Sequence, residues 1–320
     1  MNIIKKFKTA YYQKLIDDHI VSHKYEELRD YFSKLKKHQL FIQLEYFINK
    51  YIHQHETRNF FKNKIFWINS YDLEDIEYVN HFIQFYFSKL NLNFLTPESY
   101  LDNLSYFYHN FFNDKNHLTF DDLLRHSYSF QYLISLKEDK KINFLNSQSA
   151  FFSSNFNNFT HHHLTNNFIY IVRNPVSLFK KYKELYGDSH QAMSGLFNYE
   201  NLMNQKKYND GQLTIDENRQ SWAINVNSWT DNNVKNTFRG YILKIENLIS
   251  NPEEKLSEIV SHLSQSYLDC KLNYNLIDEF ININPPPKLI FTEDISNQQK
   301  KIIRREIEQY DQLIELEYDI

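Results

Sequence analysis

The chain is poor in the residues that punctuate structure: its 320 residues include only 4 Gly and 6 Pro. So few turn formers favour long regular elements, helices above all. A single cysteine, Cys270, excludes an intramolecular disulfide and any cysteine-based zinc site, and fits a reducing compartment. A net charge of −4 supplies no basic field for nucleic acid or for an anionic membrane surface. No apolar run approaches the roughly 18 residues of a membrane span. The opening MNIIKKFKTAYYQKLIDDHI has an early basic cluster but no signal-peptide core, because Lys, Gln and Asp soon interrupt its apolar residues. Together these absences lead us to expect a soluble cytoplasmic protein with no membrane span and no nucleic-acid partner.

Aromatic residues are abundant, with 27 Phe and 24 Tyr, and large aromatic side chains guarantee a sizeable core. Residues 1–60 read as helices only, with apolar positions at helical spacing through Ile3–Ile20, Tyr25–Leu35 and Leu40–Ile52. They carry no visible chemistry and suit a helical extension, leaving 61–320 as the main domain. From Lys64 the pattern changes. Strand-length apolar runs occur at Lys64–Asn69, Ile142–Leu145, Asn167–Val172 and Tyr241–Ile245. Helical patterns fall between them, at Asp72–Leu90, Pro97–Phe111, Asp121–Leu136, His190–Gln205 and Asp216–Asp231. Strands alternating with helices imply a parallel sheet covered on both faces.

Four segments then occur in order: IFWINSYDLEDIEYVNHFI from Ile65, FIYIVRNP ending at Pro175, SWAINVNSWT from Ser221, and GYILKIENLISNPEEKLSEIVSHL from Gly240. Together they resemble the bacterial type of sulfotransferase that uses 3′-phosphoadenosine 5′-phosphosulfate as donor. The resemblance runs from about Lys64 to the C-terminus. It implies a P-loop-like three-layer α/β/α fold with a central parallel sheet, carrying the helical first 60 residues as an extension. Arg173 falls where the family holds the donor's 3′-phosphate, with Lys181 at a second phosphate-contacting position. Ser70 and Tyr71 match the start of the 5′ loop.

The catalytic positions do not match. The family's loop lysine falls at Leu73 and its glycine at Asp75, so Asp72, Glu74, Asp75 and Glu77 stand where an anionic phosphosulfate binds. At ~5 Å and an effective dielectric near 20, each like-charge pair would cost roughly 3 kcal/mol before screening. The acidic run has a structural reading as a helix cap with dipole-compensating carboxylates. A metal site of Asp72, Glu74 and Asp75 is its rival, opposed by the helix dipole. The family's Lys-Thr-His aligns with Asn146, Ser147 and Gln148, so a second lysine becomes Asn146 and the base becomes Gln148. An amide accepts no proton near neutral pH, and losing a general base typically costs about 10²–10⁴-fold. The tyrosine of the family's Arg-Tyr-Glu-Asp becomes Ile245, while Glu246 persists. Its C-terminal 3′-phosphate loop shrinks to NPPPKLIFTEDISNQQK, with Lys288 the only candidate cation.

The resemblance therefore implies a degenerate member with no intact catalytic set and no expected cofactor. Such a pseudoenzyme would act by binding, with its N-terminal helices free to meet a protein partner. The alternative is a divergent active enzyme moving a sulfuryl group from the donor to a carbohydrate or small-molecule hydroxyl. Elsewhere, His161-His162-His163 reads as an exposed loop tract, with metal binding as its rival and no carboxylate or cysteine at ligand spacing. Lys180, Lys181 and Lys183 read as the solvated face of the helix after Arg173, unless Lys181 meets a phosphate.

Overall fold

The computed structural model describes residues 3–62, 64–111, 117–136, 142–153, 158–197, 204–208, 213–267, 269–288 and 295–318. Three helices come first, α1 (Ile3–Val21), α2 (Tyr25–Ser33) and α3 (Lys37–Tyr51), then a 3₁₀ turn at His55–Phe60. Next follow β1 (Ile65–Ser70), α4 (Leu73–Lys89), β2 (Phe94–Ser99), α5 (Tyr100–Phe111), β3 (His117–Leu118), α6 (Phe120–Ser135) and β4 (Ile142–Ser147). The middle of the chain forms β5 (Thr165–Val172), α7 (Pro175–Tyr186), α8 (Ser189–Phe197), β6 (Asn204–Tyr208), β7 (Leu213–Glu217), α9 (Trp222–Thr230) and α10 (Asn232–Phe238). The last elements are β8 (Gly240–Lys244), α11 (Ile245–Ser250), α12 (Pro252–Ser264), α13 (Tyr274–Ile283), α14 (Asn297–Ile307) and α15 (Asp311–Ile314).

Five strands form a parallel sheet in the order β2-β4-β1-β5-β8. Both faces are buried, and the strand period of two divides the side chains between two cores. Phe66, Ile68, Ile169 and Ile171 face α4, α12 and α13. Trp67, Phe168, Tyr170 and Val172 join the other core, which also takes Leu28, Phe32, Leu44 and Phe47 from the N-terminal helices. The architecture is therefore the expected three-layer α/β/α sandwich around a central parallel sheet. The N-terminal helices lie within its aromatic packing: Phe60 stacks on Tyr132 with centroids 5.1 Å apart, and Phe41 packs on Phe130 at 5.6 Å.

Three expected helices are present as α5, α8 and α9 but are corrected at one end. The pattern assigned to a helix over Pro97–Phe111 begins instead as β2, which runs Phe94–Ser99 and is an edge strand. Its pairing with β4 shifts register between Leu95 and Glu98, and that irregularity accommodates Pro97, which cannot donate to a ladder. The helices expected over His190–Gln205 and Asp216–Asp231 are present as α8 and α9, but the end of the first and the start of the second overlap strands β6 and β7, which pair antiparallel beside β3 in a second, three-stranded sheet. Leu213, Ile215 and Glu217 point inward at alternate positions, which is a strand's period.

Candidate functional site

In an open parallel sheet, ligands ordinarily bind beyond the carboxyl ends of the central strands. Here those ends are Ser70 on β1, Ser147 on β4 and Val172 on β5. Beyond β1, Asp72 is the cap of α4, accepting a hydrogen bond from the Glu74 amide at 3.2 Å. The Ser70 hydroxyl accepts from the Asp72 amide. After β5, Asn174 caps α7 by accepting from the Val176 amide, and Pro175 opens that helix. The Asn174 amide in turn donates to Glu246 at 2.9 Å. These local rules aim Arg173 across the strand ends toward the first turn of α4.

There Arg173 forms a buried ion pair with Asp75, the two side chains being 4% and 1% exposed. One carboxylate oxygen of Asp75 and the Nε of Arg173 are buried without a hydrogen-bond partner. Burial pushes the Asp75 carboxyl up to about 7, while the Arg173 guanidinium pulls it back toward the ionised form. Lys181, on the second turn of α7, is corrected from solvated to half-buried. Its ammonium lies 2.7 Å from Asp72 and 2.6 Å from Glu74. The acidic run thus caps a helix and also neutralises both cations assigned to the 3′-phosphate. Leu73 is 41% exposed, and Glu77 is exposed as well.

Tyr71 and Gln148 are committed to the frame. The Tyr71 hydroxyl donates to the Gly195 carbonyl at 2.7 Å. Its carbonyl accepts from the Gln148 side-chain amide at 3.0 Å and from Arg219 Nε at 3.1 Å. The Gln148 side-chain oxygen accepts from Lys206 at 3.3 Å, so both ends of that amide are used. Asn146 is buried on β4, with its side-chain oxygen unpartnered. Glu246 is half-buried, and desolvation raises its carboxyl against the hydrogen bond from Asn174. Lys288 is exposed, and residues 289–294, which follow it, lie outside the described residues.

Two cations at this edge were not found in the sequence. The Arg219 guanidinium lies 4.0 Å from the Tyr71 ring centroid and donates to the Tyr182 hydroxyl at 2.5 Å. Lys206 comes from β6 and reaches the buried carboxylate of Glu217 at 3.3 Å. The Asp210-Gly211 pair, a hairpin signal just ahead of the alternating Leu213–Glu217 run, is the local signal from which the β6–β7 pairing that delivers Lys206 could have been read. The Arg219 contacts are long-range and leave no local signal.

The His161–His163 tract is also corrected. His161 and His163 are 7% and 2% exposed, and only His162 is open to solvent. Burial, reinforced by neighbouring positive charges, holds His161 down to about 2 and His163 to about 4.

These features define an α/β protein with a closed, internally ion-paired cluster at the carboxyl edge of its parallel sheet. No protein-family model and no curated protein matches the sequence. Among solved structures, the chain is similar to the mouse sulfotransferase SULT7A1 complexed with PAP, at 12% identity and a TM-score of 0.40. That match covers 81% of this chain and 90% of the other. No helix among the described residues is long and apolar enough to cross a membrane.

Proposed function

We propose that this protein is a degenerate sulfotransferase-family member whose donor site is shut by its own carboxylates, and that it works by binding rather than by sulfuryl transfer. The observation that carries this reading is the pair of contacts Arg173–Asp75 and Lys181–Asp72. A phosphate approaching Arg173 would have to displace a buried carboxylate already paired with it. The expelled carboxylate would then sit beside the incoming anion in a site of low dielectric. As arranged, these residues do not fit a polyanionic donor. The position of the loop lysine holds an exposed aliphatic side chain, and the position of the base holds a fully engaged amide. Binding would then fall to other surfaces. The N-terminal helices suit a protein partner because Tyr11, Val21 and Ile42 are exposed there.

Calorimetry of the full chain with 3′-phosphoadenosine 5′-phosphate tests the closed site. The expected result is no detectable binding by the native protein, with weak binding gained by Asp72→Asn/Asp75→Asn, which frees both cations. Micromolar binding by the native protein that disappears in Arg173→Ala would overturn the reading.

Lys206 and Arg219 favour a second reading, a divergent active enzyme acting on a carbohydrate or small-molecule hydroxyl. They put two further cations beside Gln148 and Tyr71, outside the positions the family motifs assign. Transfer of labelled sulfate from the donor to glycan or phenolic acceptors, lost in a folded Lys206→Ala variant, would support it. No transfer to any acceptor would reject it.

A further inference from the structure

We propose that His161, His162 and His163 form a binding site for one divalent transition-metal ion of the zinc class, entered through a cavity that His53 also lines.

The tract occupies a tight turn ahead of β5, in which the amides of Leu164 and Thr165 both donate to the His161 carbonyl, at 2.8 and 2.9 Å. That turn gathers three consecutive rings, with centroids 4.1, 4.3 and 4.8 Å apart, His163 edge-on to the other two. One ligand nitrogen from each ring lies within 4.8 Å of the other two. Two imidazole nitrogens bound to one zinc ion at about 2.1 Å are at most about 4.2 Å apart, and about 3.4 Å apart in a tetrahedral site. For a tetrahedral site the rings therefore need to close by up to about 1.4 Å, and of the three only His162 is exposed and has room to move freely.

A second observation points to a ligand. The Nδ1 of His163 is buried with no hydrogen-bond partner. A buried polar atom without a partner calls for an explanation, and an unplaced ion is one of the ordinary ones. Access comes from a cavity of about 460 Å³ lined by His53, His161, His162 and Thr160, with Phe151 and Phe238 among its apolar walls. The His53 ring packs edge-on against His161 at 5.3 Å, beside the approach to the site. The donor set is imidazole only. It suits zinc, nickel or copper and disfavours calcium and magnesium, which demand oxygen ligands.

Two contacts oppose the ion and set its affinity. His161 Nδ1 accepts from the His163 amide at 3.2 Å, so coordination through Nε2 requires the other tautomer and gives up that bond. Lys64 donates to the His162 carbonyl at 3.3 Å and keeps a positive charge close to the tract. This site lies apart from the Arg173–Asp75 cluster and does not depend on how that cluster is read.

The experiment titrates the untagged full chain with Zn²⁺ by calorimetry and with Co²⁺ by visible absorption. One equivalent of each ion is expected to bind, with a cobalt ligand-field spectrum. Binding should weaken at least about tenfold in His162→Ala, an exposed position whose substitution leaves the fold intact. Lys64→Met should tighten binding by removing the neighbouring charge. No binding up to millimolar metal, or binding unchanged in His162→Ala, would overturn the proposal, the second because the ion would then sit on other histidines.

Discussion

At the scale of single residues, burial sets the chemistry of this molecule. His262 on α12 is 8% exposed, and its Nε2 lies 3.2 Å from the Phe168 carbonyl of β5. Burial lowers its pKa from 6.5 to about 4, with that carbonyl acting the other way. Between those pH values the unfolded chain binds the proton and the folded protein does not, so stability falls as pH drops through the window. Each pH unit between the two pKa values is worth about 1.4 kcal/mol, so His262 alone can remove up to about 3 kcal/mol by pH 4. Asp75, pushed up to about 7, contributes the opposite slope. Chemical denaturation at pH 7 and pH 4.5 should show His262→Gln losing clearly less stability on acidification than the native protein. Equal losses would refute the assignment. At this scale the sequence was informative wherever the cause is local. Asp72 as a cap and the Arg173-Asn174-Pro175 turn follow from rules that span three or four residues. The burial of His161 and His163 does not, because it comes from distant rings, Tyr128 at 5.7 Å from His161 and Phe61 at 5.8 Å from His163.

At the scale of elements, the four strands with continuous apolar runs lie within a few residues of where the sequence places them. Strands β2, β6 and β7 were not found, and the expected helices α5, α8 and α9 ran two or three residues into them. In β2 the Pro97 that marked a helix start is instead tolerated at a sheet edge. The β6–β7 pair is short, and its core-facing residues alternate with polar ones. Close fitting between elements is sharpest at β5 and β8, where Gly240 pairs with Phe168. A Cβ on Gly240 would run into the Phe168 ring, which is completely buried and cannot swing aside. Gly240→Ala should therefore destabilise by about 1–3 kcal/mol, read as a lower midpoint of urea unfolding with an unchanged slope. An unchanged midpoint would mean that the β5–β8 contact is looser than this packing implies.

At the scale of the whole molecule, the first 60 residues contribute to the core that covers one face of the sheet. Leu28, Phe32, Leu44, Phe47 and Ile48 are all at most 2% exposed. Burying each is worth about 1.5–3 kcal/mol, so together they supply on the order of 10 kcal/mol. That is comparable with the entire stability of an ordinary domain. A fragment spanning 61–320 should therefore lack a cooperative thermal transition or precipitate, as measured by scanning calorimetry. A fragment that melts cooperatively within a few degrees of the full chain would show that these helices are dispensable. The sequence revealed them as helices by their spacing. It could not reveal what they cover, because contacts such as His126 to Glu45 at 3.0 Å join positions 81 apart.

The Arg173–Asp75 pair also makes the closed cluster hard to open by single steps. Replacing either partner alone leaves the other charge stranded in the interior, a change that typically costs about 3–5 kcal/mol. Placing a lysine at position 73 adds charge at an exposed position and leaves the buried pair untouched. Any mutational route to an anion-binding pocket here must therefore change Asp75 together with a neighbour that can take up Arg173. Directed evolution started from this sequence should gain nucleotide binding through paired substitutions, and libraries limited to one change per gene should stay empty-handed.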